Sequence, residues 1–280
     1  MKQYLDLMQK VLDEGVWQEN RTGVRTKMIP GAMLQFDMSE GFPAVTTKKL
    51  AFKGCIGELL GFFRAADSAK TFRDLGCNFW NQNANETKSW LENPNRKGED
   101  DLGRIYGQQW RKWKNSDGGE TDQLYELVEG IKSDPTSRRH RVTAWRPDEF
   151  HLMALPPCHY GFGVIIEQET SKMHLIWSQR SVDTFLGLPM NIASYGSLLH
   201  ILARITGYIP GKLTGMLEDV HLYENHLDQV KEQLSRKPFS LPRLALIGID
   251  SLTQLEDIEP DQFQLISYNH HPAIKAPMAA

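Results

Sequence analysis

A single α+β domain, with a large mixed β-sheet backed by long buried helices, is the fold class that these 280 residues predict. Three observations carry it. Segments of strand-like alternation and segments with an apolar stripe at helical spacing both recur along the chain. No Gly/Ser-rich or Pro-rich linker divides it, so residues 1–280 read as one catalytic unit. No glycine-rich phosphate loop joins a strand to a helix, which disfavours a parallel nucleotide-binding fold.

Taken in order, Leu5, Met8, Leu12 and Val16 predict an amphipathic helix over residues 2–18. Asn20-Arg21-Thr22-Gly23 reads as a turn, and residues 33–37 alternate as a strand. Phe42-Pro43 starts an extended piece that leads to Lys48. Residues 56–63 predict a buried helix carrying one acid, Glu58, which is costly there unless paired or protonated. The polar stretch 93–101, broken by Pro94, predicts an exposed loop, and packed sequence resumes at residues 105–110. A helix over 124–131 stops at Asp134-Pro135. Ser137-Arg138-Arg139-His140-Arg141 then leads into a strand over 142–145. That basic run is either a solvated strand end or a phosphate clamp, since guanidinium forks match phosphate oxygens. Residues 162–166 and 173–179 predict two strands joined by a turn. A packed helix follows over 191–206, a second helix over 219–236 holds His221, Tyr223 and His226 near its start, and a late strand spans 244–249. The apolar tail 272–280 reads as a segment that docks.

A net charge of −3 gives no general attraction to nucleic acid, so an anion site must be local. The three cysteines, Cys55, Cys77 and Cys158, follow no disulfide or zinc pattern and read as reduced thiols. No metal is expected, because the His221, Tyr223 and His226 cluster lacks a further acid or thiol. The first twenty residues lack an apolar signal core, and no apolar run reaches membrane-spanning length. A cytoplasmic enzyme is expected. The densest chemistry lies between Ala154 and Tyr195, where a thiol, an arginine and an amide fall within about forty residues.

Asn20-Arg21-Thr22-Gly23, Phe42-Pro43-Ala44-Val45-Thr46-Thr47-Lys48, Leu155-Pro156-Pro157-Cys158-His159, Gln179-Arg180-Ser181, Phe185-Leu186-Gly187-Leu188-Pro189, Asn191-Ile192-Ala193-Ser194-Tyr195, His221-Leu222-Tyr223 and Ile274-Lys275-Ala276-Pro277 stand in one order. In these motifs the chain resembles the thymidylate synthase family along nearly its whole length. The resemblance implies a homodimer through the sheet, a pyrimidine nucleotide as substrate and 5,10-methylenetetrahydrofolate as co-substrate. It makes Cys158 the nucleophile that adds to carbon-6 of the base, with Arg180 favouring the thiolate. Arg21, Arg180, Ser181 and Gln179 would line the nucleotide site, with Arg138 and Arg139 supplied by the partner subunit. His221 and Tyr223 would bind the sugar. Glu58 would organise proton transfer and Tyr106 assist loss of the carbon-5 proton. Asp183, Gly187, Trp80, Asn83 and Ala280 would face the folate, and Lys48 its glutamate tail. Asn191 offers one donor and one acceptor, the pattern uracil matches and cytosine inverts, so the base is expected to be that of dUMP.

Several positions depart from the family pattern, and they cluster on the folate side. Leu59-Leu60-Gly61-Phe62-Phe63 stands where Leu-Leu-Trp-Phe-Leu is usual, and Trp80-Asn81-Gln82-Asn83-Ala84 where Trp-Asp-x-Trp-Ala is usual. Arg104-Ile105, Leu217-Glu218 and the terminal Ala279-Ala280 also differ. Loss of aromatic cover would admit water to an electrophilic methylene on the base. The Trp-x-Gln stretch is also similar to that of deoxycytidylate hydroxymethylases. The expected reaction is therefore hydroxymethylation of dUMP. The alternatives are reductive methylation to dTMP and, from another class, a non-catalytic nucleotide-binding regulator.

Overall fold

The computed structural model describes residues 1–277. Helix α1 (Lys2–Glu14) buries Tyr4, Leu7, Met8 and Val11 but ends four residues before the expected limit. Gly15 turns the chain extended, and a Cβ there would lie 2.4 Å from the Val11 carbonyl oxygen. Val16–Gln18 is instead an edge strand, β1, paired antiparallel to β2 (Thr26–Asp37).

Helix α2 (Phe52–Phe63) carries Gly54, Gly57 and Gly61 at spacings of three and four, so one face of it is bare backbone. Each glycine disfavours helix by roughly 1 kcal/mol. The gain is close approach: a Cβ on Gly57 would lie 2.3 Å from the Leu75 carbonyl oxygen, and one on Gly61 would lie 2.3 Å from the Phe72 ring. These partners belong to or follow α3 (Ala69–Asp74), beyond which come α4 (Asn81–Asn85), α5 (Lys88–Leu91) and α6 (Tyr106–Arg111). The 93–101 stretch forms no regular element, yet its end is tied down. Asp100 takes a two-pronged contact from Arg73 and a bond from Asn85, and Ser68 and Asp101 form a β-bridge.

A short hairpin of β3 (Trp113–Lys114) and β4 (Glu120–Thr121) precedes α7 (Gln123–Ser133). Asp122 caps α7 by accepting from the Leu124 and Tyr125 amides, and the helix stops before Asp134-Pro135 as its sequence predicts. The remaining strands of the main sheet are β5 (Arg141–Thr143), β6 (His159–Glu167), β7 (Lys172–Asp183) and β8 (Ile209–Tyr223). The sheet runs β1-β2-β8-β7-β6-β5. Its one parallel pair, β7 with β8, is joined by the crossover helix α8 (Gly187–Thr206). Gly207 ends α8 in the left-handed region, with the Tyr208 amide bonded back to the Ala203 carbonyl at 2.7 Å.

The expected helix over 219–236 is corrected. His221 and Tyr223 lie on β8, whose backbone pairs with β2 on one side and β7 on the other. Ladder bonding on both edges overrides the local apolar spacing. Helical backbone there is confined to a 3-10 turn over Glu224–His226 and to α9 (Leu227–Ser235). A two-stranded sheet of β9 (Arg243–Leu246) and β10 (Phe263–Ile266) follows. Of the tail expected to dock, Pro277 is held, its carbonyl meeting His226 Nε2 at 2.6 Å, while residues 278–280 lie outside the described residues. The main sheet buries Leu175, Trp177, Val182 and Leu213 towards the helices, whereas Met33, Ile165 and Met216 stand exposed.

Candidate active site

Cys158 sits immediately before β6 and is gripped from both sides. Its amide donates to Tyr106 Oη at 2.7 Å, and its carbonyl accepts from the Arg180 amide at 2.9 Å. The Arg180 guanidinium donates to the carbonyls of Pro156 and Pro157, both at 2.9 Å, so the prolines preceding the cysteine are held as well. Burial pushes the thiol upward, and the positive charges of Arg180 and Arg21 only partly oppose it. Arg180 does act in the direction that favours the thiolate, but desolvation is the larger influence here.

One strand away, Gln179 lies opposite His159 across the β6–β7 pair. Its Oε1 accepts from Trp177 Nε1 at 3.1 Å, while its Nε2 donates to the Ser181 carbonyl and to Asn191 Oδ1, each at 3.0 Å. Trp177 thus orients Gln179, and Gln179 orients Asn191, the fifth residue of α8. The Asn191 amide is left with Nδ2 as a donor and one lone pair on Oδ1 as an acceptor.

Glu58 comes from α2 on the opposite wall. Trp80 Nε1 donates to its Oε1 at 3.0 Å, and burial raises its carboxyl to about 7 despite that bond. The isolated acid read from the sequence is thus enclosed and paired. Around it Phe62 stacks on Tyr106 with centroids 4.9 Å apart, Trp80 meets Tyr106 at 5.7 Å, and Phe72 lies against Trp80 at 5.8 Å. At Gly61, where the family pattern carries tryptophan, the Phe72 ring fills the volume. Asn83 is half-buried on α4, one turn beyond Trp80.

The sugar-site candidates converge at the end of β8. His221 Nδ1 meets Asp219 Oδ1 at 2.8 Å, and the Tyr223 ring stands edge-on to His221 at 5.2 Å. Burial pushes the Tyr223 phenol up to about 12. His221 pairs in register with Asp183, which ends β7. Asp183 Oδ1 accepts from the Phe185 and Leu186 amides, both at 3.0 Å, and so shapes the turn into Gly187. Arg21 projects, exposed, from the Asn20–Gly23 turn, and its charge reaches Cys158 and Tyr223. Ser181 lies on β7 opposite Asp219.

Three predicted residues are not brought to this site. Arg138 and Arg139 are exposed before β5, and among the described residues neither side chain has a hydrogen-bonded or ionic partner. Lys48 is turned inward: it is 6% exposed, donates to the Phe185 carbonyl at 2.5 Å and lies 3.6 Å over that ring. Ala280 lies outside the described residues. Conversely, His159 and Tyr195 belong to the site although sequence reasoning gave them no role. His159 Nδ1 meets Tyr195 Oη at 2.9 Å, its ring lies 4.4 Å from Tyr106, and burial lowers it to about 3, which keeps the imidazole neutral. Its position next to Cys158 was the available signal.

A mixed sheet whose crossover helix bonds through an amide to the strand beside a gripped cysteine, with an enclosed acid whose charge reaches that thiol, is a fold class distinct from the phosphate-loop proteins. The thymidylate synthase family profile matches residues 2–280. A thymidylate synthase of Bordetella parapertussis is 44% identical over 322 aligned positions, and one of Pseudomonas syringae pv. tomato is 42% identical over 322. One of Shewanella pealeana is 42% identical over 284, and in all three pairs 100% of each chain is covered. The chain belongs to the thymidylate synthase family.

Proposed function

We propose that the chain is a thymidylate synthase, converting dUMP to dTMP by reductive methylation. The observation that carries the reading is the Trp177–Gln179–Asn191 relay beside Cys158, which holds an amide in the donor-and-acceptor pattern of uracil. Cys158 adds as thiolate to carbon-6 of the base, and Asn191 stabilises charge on the neighbouring carbonyl. Trp80 occupies Oε1 of Glu58, so the exchangeable proton sits at Oε2, and a carboxyl near neutrality both gives and takes it. Tyr106 keeps its phenol proton under burial and relays the carbon-5 proton by hydrogen bonding.

The folate fits as co-substrate. Asp183 uses Oδ1 for the backbone, and among the described residues its Oδ2 has no hydrogen-bond partner, so that oxygen can meet pterin N–H groups beside the aromatic wall. When bound, 5,10-methylenetetrahydrofolate supplies both the one-carbon unit and the hydride. Lys48 must swing from Phe185 to serve the glutamate tail.

Hydroxymethylation, the reaction first expected, has less support. The filled wall beside Trp80 and the names of relatives at 42–44% identity favour methylation. Incubation with dUMP and methylenetetrahydrofolate, read by nucleotide mass and folate absorbance, should give dTMP with stoichiometric dihydrofolate. A hydroxymethyl nucleotide without dihydrofolate would restore the earlier reading.

The apolar exposed sheet face and the unpaired Arg138 and Arg139 support a homodimer in which those arginines reach the other subunit's phosphate site. Mixing inactive Cys158→Ala and Arg139→Ala subunits should restore activity by re-forming one complete site. No recovery in a proven heterodimer would refute the shared site.

A further inference from the structure

We propose that Phe72 is a positioning residue for the Glu58 carboxyl and for the water-excluding wall, acting through Trp80; this rests on the proposed reaction. Phe72 is fully buried, and its rings of contact are Phe62 and Trp80. Its place in the fold is specific. The ring lies over Gly61, where a Cβ would fall 2.3 Å from Cε1 and 2.6 Å from Cδ1, so it occupies the volume that any side chain at 61 would need.

From there the contacts run in one direction. Phe72 meets Phe62 edge-on at 5.8 Å and leans on Trp80 at 5.8 Å with the planes 31° apart. Trp80 donates to Glu58, and Trp80 and Phe62 both meet Tyr106, which holds the Cys158 amide. The indole is the one side-chain hydrogen-bond partner that Glu58 has among the described residues. A void behind it would let both the ring and the carboxyl move. Phe72 is itself fixed from behind, since the Leu75 carbonyl packs against Gly57, one turn of α2 before Gly61.

The consequence concerns which partner reaches the methylene carried on carbon-5 of the bound base. In the hydride branch the methylene takes hydride and becomes methyl as the bond between carbon-6 and Cys158 Sγ breaks, and tetrahydrofolate is oxidised to dihydrofolate. In the water branch a C–O bond forms at the methylene as the same carbon–sulfur bond breaks, a proton is released, and tetrahydrofolate leaves unoxidised. A wall that holds still excludes water and keeps the first branch. Phe72 thus replaces, from α3, cover that α2 lacks at Gly61.

The test is a size exchange between positions 61 and 72. Phe72→Ala should keep cooperative unfolding and a dUMP KM within about twofold, raise the folate KM about tenfold, and raise the hydroxymethyl share of product by mass about tenfold. Phe72→Leu should move the same readouts less, and it carries the test if Phe72→Ala does not fold. Gly61→Trp alone should be severely impaired by overlap with Phe72. Gly61→Trp combined with Phe72→Ala should return product share and folate KM towards the original values, because the large ring is then supplied from α2. A folded Phe72 variant with unchanged folate KM and product share would overturn the role, as would equal losses for both substrates that the exchange does not repair. An original protein that transforms no dUMP would instead overturn the assigned reaction, and this role with it.

Discussion

The two walls of the site are built on different principles. The proposed nucleotide wall is made of strand ends and the start of α8, and its parts are joined by hydrogen bonds: Trp177 to Gln179, Gln179 to Asn191, Asp219 to His221, Tyr106 to the Cys158 amide. The proposed folate wall is made of α2, the shorter helices α3 and α6 and the residue before α4, and is joined by ring contacts among Phe62, Phe72, Trp80 and Tyr106, with one hydrogen bond to Glu58. Directional bonds tolerate few substitutions, because each unmatched buried group is costly. Packed rings tolerate exchange of volume between neighbours so long as the total is kept. On this physics a substitution on the first wall should cost more than one on the second, where a neighbouring ring can make up the volume.

The comparison breaks first at the nucleophile. Cys158→Ala should lower kcat by on the order of 10^4-fold or more while dUMP still binds, as measured by turnover and calorimetric titration. Comparable turnover by the variant would remove covalent catalysis from the scheme. Next comes the base reader. Asn191→Asp should move the kcat/KM preference from dUMP towards dCMP by roughly 10^2- to 10^4-fold, since Gln179 Nε2 still holds one carboxylate oxygen while the amide donor is lost. Unchanged discrimination would mean that another group reads the base.

This contrast also explains what was legible in the sequence. Cys158, Asn191, Gln179 and Arg180 stand in short motifs because one strand pair and one helix turn hold them, so order along the chain preserves their geometry. Gly61 and Asn83 were legible as losses, but the compensating Phe72 lies eleven positions from Gly61 on another helix, and only the fold brings the two together. The strand over 219–223 was misread for a related reason: pairing with β2 and β7 lies outside any local window. The inward turn of Lys48 follows from a backbone carbonyl, which carries no sequence mark.

The folate wall should also be visible in stability. Burial raises Glu58 from its ordinary 4.5 to about 7, so the fold prefers the neutral acid. The stabilisation is full below about pH 4.5 and is lost as pH rises through about 7. Glu58→Gln keeps the acceptor for Trp80 and has no charge to bury. Its Tm should match the original protein near pH 4.5 and exceed it near pH 8, by an amount corresponding to about 2–3 kcal/mol. A constant Tm difference across that range would show that the carboxyl is well solvated, and the picture of a closed wall would fail.

The finest test lies on the hydrogen-bonded wall. Trp177→Phe keeps a ring to stack on Tyr195, where the planes are 10° apart and the centroids 5.4 Å, but removes the donor to Gln179 Oε1. A buried acceptor is then unpaired, at a cost of about 1–3 kcal/mol. Gln179 cannot recover this by turning its amide over, because Oε1 would then face the Ser181 carbonyl to which Nε2 now donates. The loss instead loosens Gln179 and, through its bond to Asn191 Oδ1, the amide that faces the base. The dUMP KM should therefore rise about five- to tenfold and discrimination against dCMP fall, with folate KM unchanged. If stability drops with no change in base preference, Gln179 holds Asn191 without help from Trp177, and the orienting chain begins one residue later.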